Sequence, residues 1–319
     1  MDAIGALTYE PDSPAVTPET LYDIASLTKV VATTATAMLL YQRDLLDLDQ
    51  PLGEFLPGFV VGRNPGEHAW RVTIRHLLAH SSGLPGYVPL FHTATTPADI
   101  LRGCLSLPLE AEPGSRATYS DPGFILLGKA LETVIREDLA TFVHREICIP
   151  LGMESTGFCP PMWIRSQIPP TEIDELFRQR RIQGEVQDEH AHLMRGVAGH
   201  AGLFSNVPDL LRFSRTILKP GDFSLFQPET VELFGQRQLP AGSSRALGWD
   251  TPSDNSSSGT YFSGRSLGHL GYSGCSLWID REAGLSVVLL SNRTWPNRES
   301  QAIREVRPIL HDALRRACK

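Results

Sequence analysis

Ser26 and Lys29 stand three residues apart where a long apolar run begins near Asp23. On a helix that spacing puts both side chains on one face, within reach of each other. A serine hydroxyl is a weak nucleophile at its own pKa, and a neighbouring amine that accepts its proton would make it an attacking group. Lysine is scarce in this chain: the others are Lys129, Lys219 and Lys319, and none follows a serine by three residues. Ser-x-x-Lys is nevertheless a common tetrapeptide, so its meaning depends on what partners the rest of the sequence offers.

Two later stretches offer them. Tyr119-Ser120-Asp121 precedes Pro122-Gly123-Phe124, in a loop that opens a helix. Taken alone, Ser120 or Asp121 would simply cap that helix. If the loop faces a cleft, however, Tyr119 brings a phenol and Asp121 a carboxylate to it. Gly268-His269-Leu270-Gly271-Tyr272-Ser273-Gly274 opens a strand. Its glycines allow close backbone approach and leave N–H groups free to point at a ligand, although a plain turn between strands would use the same residues.

Other chemistries find less support. His76 and His80 are four apart, a zinc-ligand spacing, but no Glu follows His76 and the His-Glu-x-x-His pattern is absent. His190, His192 and His200 cluster loosely and read as packing residues. No metal and no cofactor is expected, since there is neither a Walker loop nor a Gly-x-Gly-x-x-Gly fingerprint. The absence of a Gly-x-Ser-x-Gly elbow counts against an α/β-hydrolase. The five cysteines are odd in number and scattered, without a Cys-x-x-Cys pair, and read as buried free thiols.

The elements that must position these groups follow from the pattern. With 319 residues, 41% of them hydrophobic, the chain can bury a large core. A net charge of -7 speaks against nucleic acid or an anionic membrane as partner. No apolar stretch reaches the roughly 20 residues of a spanning helix, and the first residues lack the basic start and apolar core of a signal peptide. A cytoplasmic protein with a small-molecule or peptide substrate is expected. A buried helix is expected at 23–43 with Asp23 as N-cap, a loop turn at 64–66, and a short helix at 73–78. Further helices are expected at about 97–105, 122–135, 139–147, 208–218 and 228–234. Strands are expected at 246–250, 259–262, 274–280 and 285–291, then a helix at 299–317. That order is α+β, with 1–72 and 235–319 as a discontinuous sheet region and 73–234 as a mostly helical one.

In combination the three motifs are specific. Ser-x-x-Lys, Tyr-x-Asp and His-x-Gly come in the order of the motif set of penicillin-recognising enzymes. The chain resembles the class C β-lactamase and DD-peptidase (penicillin-binding protein) superfamily, in its β-lactamase-related branch. Val72-Thr73-Ile74-Arg75-His76-Leu77-Leu78-Ala79-His80-Ser81-Ser82-Gly83-Leu84 and Gly199-His200-Ala201-Gly202-Leu203-Phe204-Ser205 carry the likeness too, as do 119–128, 184–189 and 196–200. It runs from about Thr17 to Asn292. The resemblance implies a β-lactamase/transpeptidase-like fold and an acyl-enzyme on Ser26. Lys29 would be the base, acting directly or through Tyr119, and the N–H groups of Ser26 and Tyr272 would form the oxyanion hole. His269, beside Gly271, would orient a substrate carboxylate or carbonyl.

Two positions depart from the pattern. Asp121 stands for the usual Asn, which would favour a charged Lys29 and so a poorer base. His269 stands for the Lys of true class C β-lactamases, as in the DD-peptidases and esterases of the superfamily. Members also carry two strands ahead of the serine helix, and about 25 residues leave too little room, so those strands are expected to be missing. The reading that results is a serine hydrolase of an ester, a D-amino-acid peptide or a β-lactam-like amide. A slowly acylating or non-catalytic binder of penicillin or peptidoglycan fragments is the alternative, and a scaffold protein on this fold a third.

Overall fold

In the computed structural model, residues 1–64, 66, 68–221 and 225–318 are described; Pro65 of the expected turn and Lys319 fall outside them. Eight short strands run β1 Tyr22–Asp23, β2 Gly157–Phe158, β3 Glu172–Asp174, β4 Arg180–Ile182, β5 Leu203–Ser205, β6 Leu267–Leu270, β7 Ser276–Asp280 and β8 Leu285–Leu289. The α-helices are α1 Ala35–Gln42, α2 Leu52–Phe55, α3 Ile74–Leu78, α4 Pro97–Ser106, α5 Asp121–Ile135, α6 Leu139–Val143, α7 Ile149–Leu151, α8 Glu189–Leu193, α9 Val207–Leu218, α10 Pro228–Phe234 and α11 Ile303–Ala317.

The C-terminal sheet is antiparallel in the order β6-β7-β8, with His269 opposite Leu277 and Trp278 opposite Val287. Alternation along a strand sends successive side chains to opposite faces, and the two faces meet different helices. Ser276 and Asp280 reach α11, through Nε2 of His311 at 3.1 Å and Nε of Arg315 at 3.0 Å. Ser286, on the other face, accepts from Ser214 of α9 at 2.8 Å. The sheet is therefore sandwiched between α9 and α11. The expected strand at 246–250 is reduced to single bridges, Asp250 pairing with Gly268, because Gly248 at φ +81° folds the segment back on itself. The expected strand at 259–262 is a loop; the Asp312 carboxylate of α11 takes the N–H groups of Thr260 and Tyr261 instead.

In the helical part α5 is the hub. Its Phe124, Ile125, Leu126, Leu127, Ala130 and Leu131 are all buried, and α3, α4 and the serine helix pack on it. Short strand pairs interrupt this region where only helix and loop are expected: β5 lies between β1 and β2, and β3 pairs with β4. Two- and three-residue strands are too short to show a period of two, so the sequence pattern hides them.

The expected helix at 23–43 is a strand end followed by three helical segments of different kinds. Tyr22–Asp23 is a strand, Ala25–Leu27 a 3-10 turn, Lys29–Thr34 a π-helix, and only Ala35–Gln42 is α-helical. Asp23 is thus not the N-cap. Single π turns are characteristic of functional sites in helices, and this one is locked by Thr33 Oγ1 donating to the Gly199 carbonyl at 2.6 Å. Gly199 lies against α5 so closely that a Cβ there would meet the Phe124 carbonyl oxygen at 2.2 Å. Gly199→Ala should therefore lower the urea unfolding free energy by about 1–3 kcal/mol, the usual scale for overpacking. Gly157→Ala, where a Cβ meets nothing within 4 Å, should stay near the wild-type value.

Candidate active site

The turn that presents Ser26 is built by its neighbours. Ala25 sits at φ +47°, a left-handed conformation that costs an L-residue on the order of 1–2 kcal/mol. The buried Asp23 carboxylate holds it there: Oδ1 accepts from the Ala25 N–H at 2.8 Å and Oδ2 from the Gln187 N–H at 2.8 Å. The Asp23 carbonyl in turn accepts from Ser273 Oγ at 2.8 Å. Strand end, nucleophile turn and the β6–β7 turn are thereby tied at one residue. Burial pushes the Asp23 carboxyl up to about 6.

Lys29 is fully buried. Its Nζ donates to Ser26 Oγ at 2.9 Å, to Asp121 Oδ1 at 2.7 Å and to the His200 carbonyl at 3.1 Å. An ammonium has three protons and no lone pair, so all three are engaged. Burial works against its charge, but the Asp121 carboxylate and the Tyr119 phenol outweigh it and the amine's pKa is raised. The direction of that shift is the one expected from Asp121.

Tyr119 and Asp121 reach the cleft because both ends of their loop are fastened. Thr118 N–H donates to the His80 carbonyl at 2.8 Å, Ser120 N–H to His80 Nδ1 at 3.0 Å, and Asp121 N–H to the Gly86 carbonyl at 3.0 Å. Ser120 Oγ donates to the Pro85 carbonyl at 2.7 Å and caps α5 by accepting from the Gly123 N–H at 3.0 Å. So Ser120 fills the ordinary capping role while its neighbours on both sides point at Lys29. The Tyr119 ring centre lies 4.8 Å from Lys29 Nζ and 4.6 Å from the His80 ring. Burial raises the phenol's pKa against the opposing pull of Lys29.

His76 and His80 do not form a metal pair. α3 ends at Leu78, His76 closes a capping box with Thr73, and His80 turns away at φ +55° to become a neutral wall of the site. Burial, reinforced by Arg245 and Lys29, holds its pKa well below the usual histidine value.

His269, Gly271 and Tyr272 form the opposite wall. His269 is buried, with its ring centre 5.8 Å from that of Tyr119. Its Nδ1 lies 2.8 Å from the Leu270 carbonyl, which can only accept, so Nδ1 carries the proton and Nε2 offers a lone pair. Burial, with Lys29 and Arg245, keeps the ring neutral. In this tautomer Nε2 is a buried acceptor without a partner among the described residues. Gly271 passes so near the serine turn that a Cβ would lie 2.5 Å from the Ile24 carbonyl oxygen. Its own carbonyl and that of Cys275 are both held by Arg307 Nη2 at 2.7 Å. Tyr272 is half exposed, and its N–H donates to no group among the described residues.

Some of the cleft went unread in the sequence. Arg245 places its guanidinium carbon 5.4 Å from the Tyr119 ring centre and lies 3.8 Å from Asp250. Asp188, His80 and the His200 carbonyl complete the surroundings. A cation just ahead of a stretch read as strand, or a main-chain oxygen, leaves no motif to find. The cleft, about 910 Å³, is walled by Ser26, Tyr87, Tyr119, Gln187, Asn255 and α11 among others.

A serine nucleophile beside a buried lysine and a tyrosine, on an α+β fold, defines a class of acyl-transfer enzymes. A sequence model of the family described as Beta-lactamase matches residues 8–309, and the chain belongs to that family. A relative from Escherichia coli K12, named "Putative D-alanyl-D-alanine carboxypeptidase", is 33% identical over 303 residues, covering 86% of this chain and 69% of the relative. The solved structure of EstCE1, a hydrolase with promiscuous acyltransferase activity, superposes with a TM-score of 0.74 at 24% identity, covering 95% of this chain and 88% of the other. Simvastatin synthase from Aspergillus terreus gives 0.73 at 21% identity, covering 98% and 88%. The fold is β-lactamase/transpeptidase-like, and the protein is a serine hydrolase of that family. Among the described residues no helix is long and apolar enough to cross a membrane.

Two outcomes follow from the charges. Removing the carboxylate in Asp121→Asn should move the pH profile of Ser26 phosphonylation by a fluorophosphonate, with loss of fluoride, about 1–3 units toward acid, because Lys29 then loses its counter-charge; an unmoved profile would exclude the pairing as the cause of the high lysine pKa. For Asp23 the folded pKa of about 6 stands above the ordinary 3.8, so its contribution to stability is complete below pH 3.8 and is lost as pH rises through 6. The stability gap between wild type and Asp23→Asn should shrink from pH 4 to pH 7 in urea titrations, and a constant gap would contradict it.

Proposed function

We propose that the protein hydrolyses D-amino-acid peptides and esters through an acyl-enzyme on Ser26. The observation that carries this reading is the 2.9 Å contact between Lys29 Nζ and Ser26 Oγ, with Asp121 on the same amine. Lys29 starts as an ammonium, so it must first pass a proton to Asp121, 2.7 Å away. The neutral amine then accepts the Ser26 proton as Oγ bonds to the substrate carbonyl carbon. Tyr119 delivers a proton to the departing amine or alcohol as the scissile bond breaks, and the reverse relay activates the water that frees the acid. The N–H groups of Ser26 and Tyr272 face the developing oxyanion.

The D-alanyl-D-alanine carboxypeptidase name of the Escherichia coli relative favours a D-alanyl peptide within this class. The neutral His269, standing where a fixed positive charge would meet a β-lactam carboxylate, argues for weak β-lactam turnover. A second reading, a protein that acylates slowly and releases little, draws support from the Lys29–Asp121 ion pair itself. Product counts separate the two. With p-nitrophenyl acetate, D-Ala-D-Ala peptides and nitrocefin, a hydrolase releases many equivalents per chain and a slow binder at most one. Ser26→Ala should lose turnover by at least 1,000-fold, since nucleophile removal costs acyl-transfer enzymes on the order of 10⁴–10⁶. Retained turnover in that variant would overturn the assignment.

A further inference from the structure

Behind Lys29 lies a second group of side chains that the acyl-transfer chemistry does not use. Asp188, His190 and His200 each offer one ligand atom, and these atoms lie within 4.8 Å of one another. Asp188 Oδ1 accepts from the Ala191 N–H at 2.8 Å, capping α8, and lies 2.8 Å from His200 Nε2. His200 Nδ1 has no hydrogen-bond partner among the described residues. His190, about 1% exposed, has only the Val88 main chain within hydrogen-bonding reach of its ring, and no side-chain partner among the described residues. Its ring is packed under Tyr87 at 5.4 Å and Phe91 at 5.7 Å, and 6.3 Å from the ring of His200.

With the Val88 main chain taking the ring's one N–H, the other nitrogen of His190 keeps a buried lone pair, which is costly unless something binds it. The neighbours are not free to do so: Glu189 is paired with Arg298 at 2.6 Å, and His192 faces Glu185 at 3.6 Å. We propose that Asp188, His190 and His200 form a binding site for a divalent transition-metal cation of the zinc type. Two imidazoles and one carboxylate suit zinc and exclude the all-oxygen preference of calcium and magnesium. Side-chain shifts of about 1 Å bring such atoms to the roughly 2 Å metal–ligand distances of zinc. Asp188 lines the cleft while both histidines lie behind it, so the cation enters from the cleft and keeps an open position toward it. The site adjoins the catalytic lysine, because the His200 carbonyl is one of the three acceptors of Lys29. It stands independently of the Ser26 chemistry.

Equilibrium dialysis of the whole chain against zinc tests it, with cobalt(II) absorption as a second readout. Wild type and Ser26→Ala should each take up one zinc per chain, and His192→Gln should match them. His190→Asn should bind at least tenfold more weakly while keeping the wild-type circular dichroism and urea midpoint. Asp188→Asn serves as a second variant, with its folding checked in the same way because Asp188 caps α8. Cobalt should give the intense visible bands of a four-coordinate site, lost in His190→Asn. Uptake that is absent, or unchanged in a folded His190→Asn because surface groups such as Cys159 hold the metal, would overturn the proposal.

Discussion

A fully buried lysine ammonium is the constraint on which this structure turns. Such a charge is tolerated only when its donors are fully matched, and the three acceptors of Lys29 come from positions 26, 121 and 200 of the chain. No local element can supply them. The serine turn, the N-terminus of α5 and the loop before β5 must converge, and most close packing in the molecule serves that convergence. Gly199 against α5, Thr33 on the Gly199 carbonyl and His80 beneath the Tyr119 loop are the contacts that bring the acceptors to one point.

The same constraint sets the electrostatic character of the site. With Asp121 beside it, Lys29 brings no net charge into the cleft floor, and His80 and His269 are neutral through burial. Asparagine in place of Asp121 would leave an uncompensated positive charge there. A carboxylate trades reactivity of the amine for stability of the buried group, and it also supplies a proton acceptor in contact with the base. Asp121 thus raises the pKa of the lysine and, under the proposed mechanism, would take its first proton.

What the sequence made legible was local in character. Ser26, Lys29, Tyr119, Asp121 and His269 were readable because their spacing and glycine-rich settings are short-range patterns. The structure gathers them around one cleft. Helices α4, α5, α9 and α10 were readable within a residue or two, through proline at the first turn and a steady apolar stripe. The π turn at Lys29–Thr34 was not, because its residues read like those of the α-helix that follows and the Thr33 contact with the Gly199 carbonyl is distant in sequence. Arg245 was hidden for a different reason. It stands just before a segment that looked like a strand by composition, but Gly248 bends that segment, Asp250 keeps single bridges to Arg245 and to Gly268 of β6, and the guanidinium lies over Tyr119. His200 was legible as a residue and illegible as a ligand, since its main-chain oxygen does the holding.

The fixed and the titrating parts of the site are built from different materials. Tyr272 and Ser26 present backbone N–H groups, and dipoles of this kind do not change with pH. Their placement rests on Arg307 gripping two carbonyls of the β6–β7 turn from α11, on Ser273 donating to the Asp23 carbonyl, and on Asp23 holding Ala25. Lys29, Asp121 and Tyr119 stand on the other wall, anchored by α5. Under the proposed mechanism the sheet and α11 would carry the charge stabilisation and the helical part the proton traffic, with Ser26 at the seam. That division would account for Ser26 sitting in a strained turn rather than inside a regular helix. Its Oγ would have to face the relay while its N–H faced the opposite wall, and a residue within an unbroken α-helix would have its N–H tied to the preceding turn.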